Sequence, residues 1–344
     1  MEKKTMQAVV FSAPATYEVT ERPIPEIGAE DEMLIKILAA SICGTDVHIL
    51  ADPPGVAANT GIILGHECVG EVVKVGKRVR GFRPGDHLIL DNNLTCGVCP
   101  ACRSGHSNMC TNVRSMGVHI DGVFAEYAVA PESACVKIPA NIPLRKAIFA
   151  EPLNCVMGAI KKLKIMPGDT AVVLGGGPIG LYFTGLLRAC GAGRVIVSEV
   201  SSFRSDFAKI NGADRVVNPV QEDLQAAVLA ETEGVGADIV IDAVGSLITD
   251  ALRTARPGGQ ILLFGMNAKA SAEIHQNDIT SRDLKLMGNF IGLHTLTNVA
   301  NVLRTGVVDF ENMITHELPL SRFGEGLEAM RKGQALEVVL YPGE

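Results

Sequence analysis

From Asp169 to about Gly292 the chain repeats one pattern: a short run of consecutive apolar residues, then a longer stretch with apolar positions at helical spacing. Apolar runs of that kind suit strands buried on both faces, and their alternation with helices predicts a parallel sheet. The expected strands are 171–174, 194–198, 215–217, 238–241, 260–264 and 285–287. The first 150 residues read differently. Short strand-like runs such as 8–11, 71–75, 82–86 and 87–90 are punctuated by glycine and proline at intervals of roughly 8–12 residues, as in compact β structure. Beyond about Leu293 the pattern is helical over 297–305 and 323–332, and it closes in a strand-like 336–340. That last strand is expected to return to the first domain and make it discontinuous. The predicted division is a β-rich domain of 1–150 and 295–344 and a doubly wound α/β domain of 151–294.

Composition narrows the class. Apolar residues make up 47% of the 344 residues and charged residues 20%, enough to bury a large core. The formal net charge is −7 with no basic stripe, which argues against a nucleic-acid partner. No apolar run is long enough to span a bilayer. Nine cysteines are spread through the chain, and nothing at the start resembles a signal peptide. Both points lead to the expectation of a reducing, cytoplasmic setting.

Four of the cysteines stand close together: Cys96, Cys99, Cys102 and Cys110, in the segment of about 91–115. Zinc favours four thiolates in a closed tetrahedron, and spacings this short let one loop supply them all. Disulfides or unpaired core thiols are the bland alternatives, and disulfides belong to oxidising compartments. An iron–sulfur cluster would also take four thiolates. A closed four-cysteine site leaves no position for substrate, so the lobe is expected to be structural.

A second signal follows the apolar run 171–174: Gly175, Gly176, Gly177, Pro178, Ile179 and Gly180, then an apolar helical stretch. This is a G-x-G-x-x-G sequence at a strand-to-helix turn, the context that a Rossmann dinucleotide site requires. Gly175 serves the turn, Gly177 the approach of the pyrophosphate and Gly180 the helix–strand packing, while Pro178 suits a first helical position. Glu199 lies nineteen residues beyond Gly180, at the end of the second strand. An acid there accepts the ribose hydroxyls and repels a 2′-phosphate, predicting NAD over NADP, although nearby Arg204 could accommodate that phosphate. A packing-only glycine turn with a helix-capping acid is the alternative.

Three further stretches carry metal-ligand chemistry: Cys43-Gly44-Thr45-Asp46-Val47-His48, Gly65-His66-Glu67 and Glu151-Pro152-Leu153. Alone, each is uninformative, since single cysteines and histidines are ordinarily core or satisfied polar residues. Taken in order with Gly70-Glu71-Val72, Gly85-Asp86, the four-cysteine lobe and the glycine fingerprint, the whole chain resembles the zinc-dependent medium-chain dehydrogenases of the sorbitol (polyol) and threonine dehydrogenase branch. That resemblance implies a GroES-like catalytic domain beside the Rossmann domain, and two zinc ions per chain. It implies Cys43, His66 and Glu67 as ligands of a catalytic zinc, with Glu151 as fourth ligand or holder of its water. The alcohol dehydrogenase branch has a cysteine at the place of Glu151. It further implies a proton path through Thr45 to His48, hydride transfer to NAD, and a homotetramer or homodimer. Asp46 is expected to cap the turn or support a ligand.

The substrate is expected to be a small secondary alcohol on a polyol, sugar or sugar acid. A threonine-like amino alcohol is the rival, and a zinc-free enone or quinone reductase or a non-catalytic relative are the remote ones. His119 and Phe124 resemble a family segment near the active site, with core packing the alternative for Phe124. Relatives often present an arginine around Asn289 and His294, and this chain has none between Arg282 and Arg304. Cys155 is expected to pack, and Cys68, Cys135 and Cys190 to be structural.

Overall fold

The computed structural model describes residues 4–343. They form two compact units. One comprises the chain up to Asn154 together with Leu293–Gly306 and the residues from Glu311 onward; the other comprises Cys155–Gly292 and Val307–Phe310.

The second unit is built on a six-stranded parallel sheet whose strands are Thr170–Leu174, Arg194–Ser198, Arg215–Val217, Ala237–Asp242, Ala255–Leu263 and Lys285–Gly288. The first of these lies in the middle of the sheet. The next two extend the sheet to one side and the last three to the other. The order therefore reverses beside Thr170–Leu174, which is where doubly wound sheets bind ligands. The apolar runs are strands because both their faces are covered: Val172, Leu174, Ile196, Val240 and Ile261 are all inaccessible to solvent. One strand is longer than its sequence pattern suggests. Pairing with Ala237–Asp242 begins at Ala255, ahead of Pro257-Gly258-Gly259, and the register shifts there. Gly258 takes φ +75°, which absorbs the irregularity.

The first unit holds a seven-stranded sheet. Its path runs Ile314–Pro319, Glu337–Tyr341, Glu32–Ser41, Glu67–Val75, His87–Leu90, Cys135–Ile138, with Tyr127–Pro131 also paired to Glu32–Ser41. The strand Glu337–Tyr341 is antiparallel to Glu32–Ser41, so this unit is discontinuous in sequence. The run 82–86 is a turn instead of a strand. Gly85 takes φ +90°, and the Asp86 carboxylate accepts the Arg83 N–H at 2.8 Å and an ion pair from Lys137 at 2.6 Å. The core of this unit gathers Met33, Ile35, Ile37, Leu64, Phe124, Phe323 and Val338. Among the described residues no helix is long and apolar enough to cross a membrane.

Candidate functional site

The strand Glu32–Ser41 ends where the chain turns at Cys43 into the short helix Gly44–Ile49. Cys43 is extended, and its N–H donates to Asp46 Oδ2 at 2.9 Å, so Asp46 fixes the turn that presents the thiol. The strand Glu67–Val75 runs antiparallel alongside, with Ser41 opposite Glu67. That register carries His66 and Glu67 up to Cys43, and the ligand atoms of the three lie within 4.8 Å of one another. Gly65 takes φ +85°, and a Cβ there would meet the Phe124 ring at 2.3 Å. Only glycine permits the bend that leads into His66.

This cluster fits a divalent cation. Burial first, then the charges of Glu67, Asp46 and Glu151, push the Cys43 thiol well above its ordinary range. Burial, Glu337 and Glu151 likewise push the Glu67 carboxyl up, against the hydroxyl of Ser41, which donates to Glu67 Oε2. Anions crowded in a dry place are unfavourable unless a cation joins them. Behind the cluster, His66 Nδ1 lies 3.7 Å from Asp46 Oδ1, and both atoms are buried without a hydrogen-bond partner. A carboxylate on the far side of an imidazole orients it for metal binding.

The remaining residues expected here fall as follows. Thr45 is half-buried, and its hydroxyl lies 3.7 Å from Cys43 Sγ. His48 sits one turn on and is exposed. Glu151 opens the helix Ala150–Ile160 and is buried; its charge reaches both Cys43 and Glu67, although it lies outside the three-residue cluster. Phe124 is wholly buried, packed on Gly65 with its ring 5.3 Å from that of Phe323, so it is part of the core behind His66. His119 is exposed, and its Nδ1 accepts the Ser115 N–H at 2.9 Å. His294 is exposed with φ +53°, and Asn289 donates to the carbonyl of Ile291 at 3.2 Å. Cys68 and Cys135 are buried, whereas Cys190 is exposed and fills no core.

The lobe gathers Cys96, Cys99, Cys102 and Cys110 so that their sulfurs also lie within 4.8 Å of one another, and no disulfide joins them. Gly97 and Gly105, at φ +70° and +82°, make the turns that fold the segment back. Backbone N–H groups converge on the sulfurs: Cys99 donates to Cys96 Sγ, and Cys96 and Asn112 to Cys110 Sγ, all at 3.4 Å. The backbone of Cys102 and Thr111 holds the Cys99 thiol down at about 6. Burial and the adjoining sulfurs of Cys99 and Cys110 push Cys102 up to about 12. Four sulfurs so placed share protons unless a metal takes them, and a closed thiolate set suits zinc.

In the second unit, the strand Thr170–Leu174 leads into Gly175 at φ +98°, and the helix Pro178–Ala189 starts after Gly177. A Cβ at Gly180 would lie 1.8 Å from the Gly175 carbonyl oxygen, whereas one at Gly177 would meet nothing within 4 Å. Free space over the first helical N–H groups is what a pyrophosphate needs. The two glycines therefore predict different failures. Gly180→Ala is expected to destabilise the fold by about 3 kcal/mol, read by thermal or urea denaturation. Gly177→Ala is expected to keep the wild-type melting temperature and to weaken NADH binding about tenfold or more, read by fluorescence titration; a Cβ here occupies only the space set aside for the phosphates.

Glu199 is buried at the end of the second strand. Its Oε2 accepts the Gly176 N–H and its Oε1 the Ser201 N–H, both at 2.8 Å. Arg204 Nη1 lies 3.9 Å from Oε2. The carboxylate is thus locked to the glycine loop itself.

Some contributors escaped the sequence. Asp242 ends the strand Ala237–Asp242 and accepts N–H groups of Val244, Gly245 and Leu247 at 2.8–2.9 Å, shaping the loop beside the sheet's reversal point. Asn154, one turn along the helix from Glu151, donates to Asp91 Oδ2 at 3.2 Å, and Thr295 donates to its Oδ1 at 2.8 Å. A buried acid closing an apolar strand was the available signal for Asp242. For Asn154 there was none, because its partners are distant in sequence.

Comparison with known proteins bears on the family of the chain. Residues 29–140 match the model of the alcohol dehydrogenase GroES-like domain, and residues 178–305 that of the zinc-binding dehydrogenase. The L-threonine 3-dehydrogenase of Caldanaerobacter subterraneus subsp. tengcongensis is 36% identical over 340 residues, covering 94% of this chain and 95% of that one. The sorbitol dehydrogenase of Bacillus subtilis is 29% identical over 346 residues, covering 98% of each. Among solved structures, a zinc-binding dehydrogenase of Sinorhizobium meliloti bound to NADP superposes with a TM-score of 0.93 at 32% identity, covering 99% of this chain and 100% of that one.

Proposed function

The chain belongs to the zinc-dependent medium-chain dehydrogenase family, and on that premise we propose that it oxidises a secondary alcohol of a polyol, sugar or sugar acid, with NAD as acceptor. The family makes it an NAD(P)-linked alcohol dehydrogenase. The observation that carries the finer reading is the acidic character of the cluster: Cys43 and His66 are joined by Glu67, with Glu151 close enough to act on both Cys43 and Glu67. A glutamate at the place of Glu151, where the alcohol dehydrogenase branch has a cysteine, resembles the polyol and threonine dehydrogenase branch. L-threonine is the second candidate, favoured by the 36%-identical threonine dehydrogenase.

In the proposed reaction, a secondary alcohol and NAD⁺ give a ketone, NADH and a proton. Cys43, His66 and Glu67 would hold a zinc ion, Glu151 would complete the set, and Asp46 would keep the His66 ring in place. A zinc ion held there supplies Lewis acidity, lowering the pKa of a hydroxyl toward neutrality. The Thr45 hydroxyl accepts the alcohol's proton as it passes its own on toward His48, which is open to solvent. Cys96, Cys99, Cys102 and Cys110 hold the second zinc. Gly175, Gly177, Pro178, Ile179 and Gly180 cradle the pyrophosphate.

Glu199 supports NAD over NADP. It is fastened by two backbone N–H groups beside the glycine turn, where an acid disfavours a 2′-phosphate, and Arg204 is paired with it. Glu199→Ala is expected to raise the NADP:NAD ratio of kcat/KM by about one to two orders of magnitude, measured by steady-state kinetics with each cofactor. An unchanged ratio removes Glu199 from cofactor choice.

The reaction itself is tested by following NADH absorbance over a panel of polyols, aldoses, sugar acids, inositols and amino alcohols, with and without a zinc chelator. A chelator-sensitive polyol or sugar signal supports the first reading. Activity confined to threonine and its analogues replaces it with the second.

A further inference from the structure

We infer that Glu337 is a positioning charge for the catalytic metal centre: without being a ligand, it controls how fast a divalent cation leaves Cys43, His66 and Glu67. This rests on the reading of those three residues as ligands.

Glu337 opens a strand that is otherwise apolar or aromatic, Glu337–Tyr341, and it is 4% exposed. A carboxylate buried at such a position is costly unless positive charge compensates it. The register of the sheet shows which side chains it faces. Ser41 stands opposite Glu67 on one side and opposite Val339 on the other. Residues directly opposite one another share a face of a sheet. Ser41 confirms this by donating its hydroxyl to Glu67. Glu337 is two residues from Val339, so it returns to that same face. The Ile42 N–H donates to the Val338 carbonyl at 3.1 Å, extending the pairing by one residue. That face carries Glu67, whose carboxyl feels the charge of Glu337.

Glu151 acts on both Cys43 and Glu67, and Glu337 acts on Glu67. Glu67 and Cys43 can be ligands directly. Glu337 lies outside their three-residue cluster and acts through space. A fixed negative charge within several ångströms of a divalent cation, away from water, lowers the energy of the loaded state and slows release. An amide of the same shape does neither.

The test compares zinc release from the fully loaded wild type, Glu337→Gln, Glu337→Asp and Cys43→Ser, each mixed with excess chelator and followed by a zinc-sensitive dye. Wild type is expected to release its two zinc ions in two phases, and Cys43→Ser identifies the catalytic phase by lacking it. Glu337→Gln is expected to speed that phase about tenfold or more and leave the other unchanged, with Glu337→Asp close to wild type. An unaltered catalytic phase in Glu337→Gln overturns the inference, as does equal acceleration of both phases, which reports general loosening. If Cys43→Ser keeps both phases, the ligand assignment itself fails. That result is distinct from an intact assignment with an indifferent Glu337.

Discussion

Cys43→Ser is expected to retain one zinc ion per chain and to lose at least about a thousandfold in kcat/KM. The thiol is the one soft ligand in the cluster, and zinc takes thiolate, imidazole and carboxylate together. A serine hydroxyl is far harder to ionise than a thiol, so the substitution replaces an anion with a neutral, weak donor. Glu67 and Glu151 are then left as buried carboxylates without the cation, and burial first, then the charges of Glu337 and Glu151, already raises the Glu67 pKa. The site is expected to respond by keeping a proton in place of the cation. Metal analysis and kinetics on the same sample decide the matter. Full activity with two zinc ions bound sinks the assignment. Loss of activity with both ions retained moves Cys43 from holding metal to holding substrate.

The second large effect is on stability. Changing Cys96, Cys99, Cys102 and Cys110 together to serine is expected to cost about 3–5 kcal/mol and to open the lobe to proteolysis. Small metal-bound lobes draw their folding energy from the metal. This lobe has little else: Val98 and Met109 are exposed at 62% and 56%, and its helix Pro100–Arg103 is a single turn with no buried residue. Thermal melting would show the loss, and limited proteolysis would place the first cut between 96 and 112. An unchanged melt means the sulfurs serve something other than stability.

Much of this was legible because the chemistry is local in sequence. The glycine turn, the lobe and the Cys43 and His66 stretches each sit within a few residues, where backbone geometry dictates residue type. The six strands of the parallel sheet were legible because burial on both faces leaves continuous apolar runs. What could not be read depends on register between distant segments. Glu337 shares a face with Ser41 only because Val339 stands opposite Ser41, and Asn154 is fastened by Asp91 and Thr295. Phe124 shows the same limit from the other side. Its neighbourhood in sequence suggested a pocket wall as readily as core, and its contact with Gly65 across the fold places it in the core.

The pairing of Glu337–Tyr341 with Glu32–Ser41 also fixes an order of events during synthesis. The strand that pairs beside Ser41 is made some 290 residues after Cys43. The Rossmann unit, contiguous apart from Val307–Phe310, can fold well before then. The first unit must wait with its sheet unfinished, and a ribosome stalled before residue 337 is expected to carry a folded nucleotide-binding unit and an unfinished first unit.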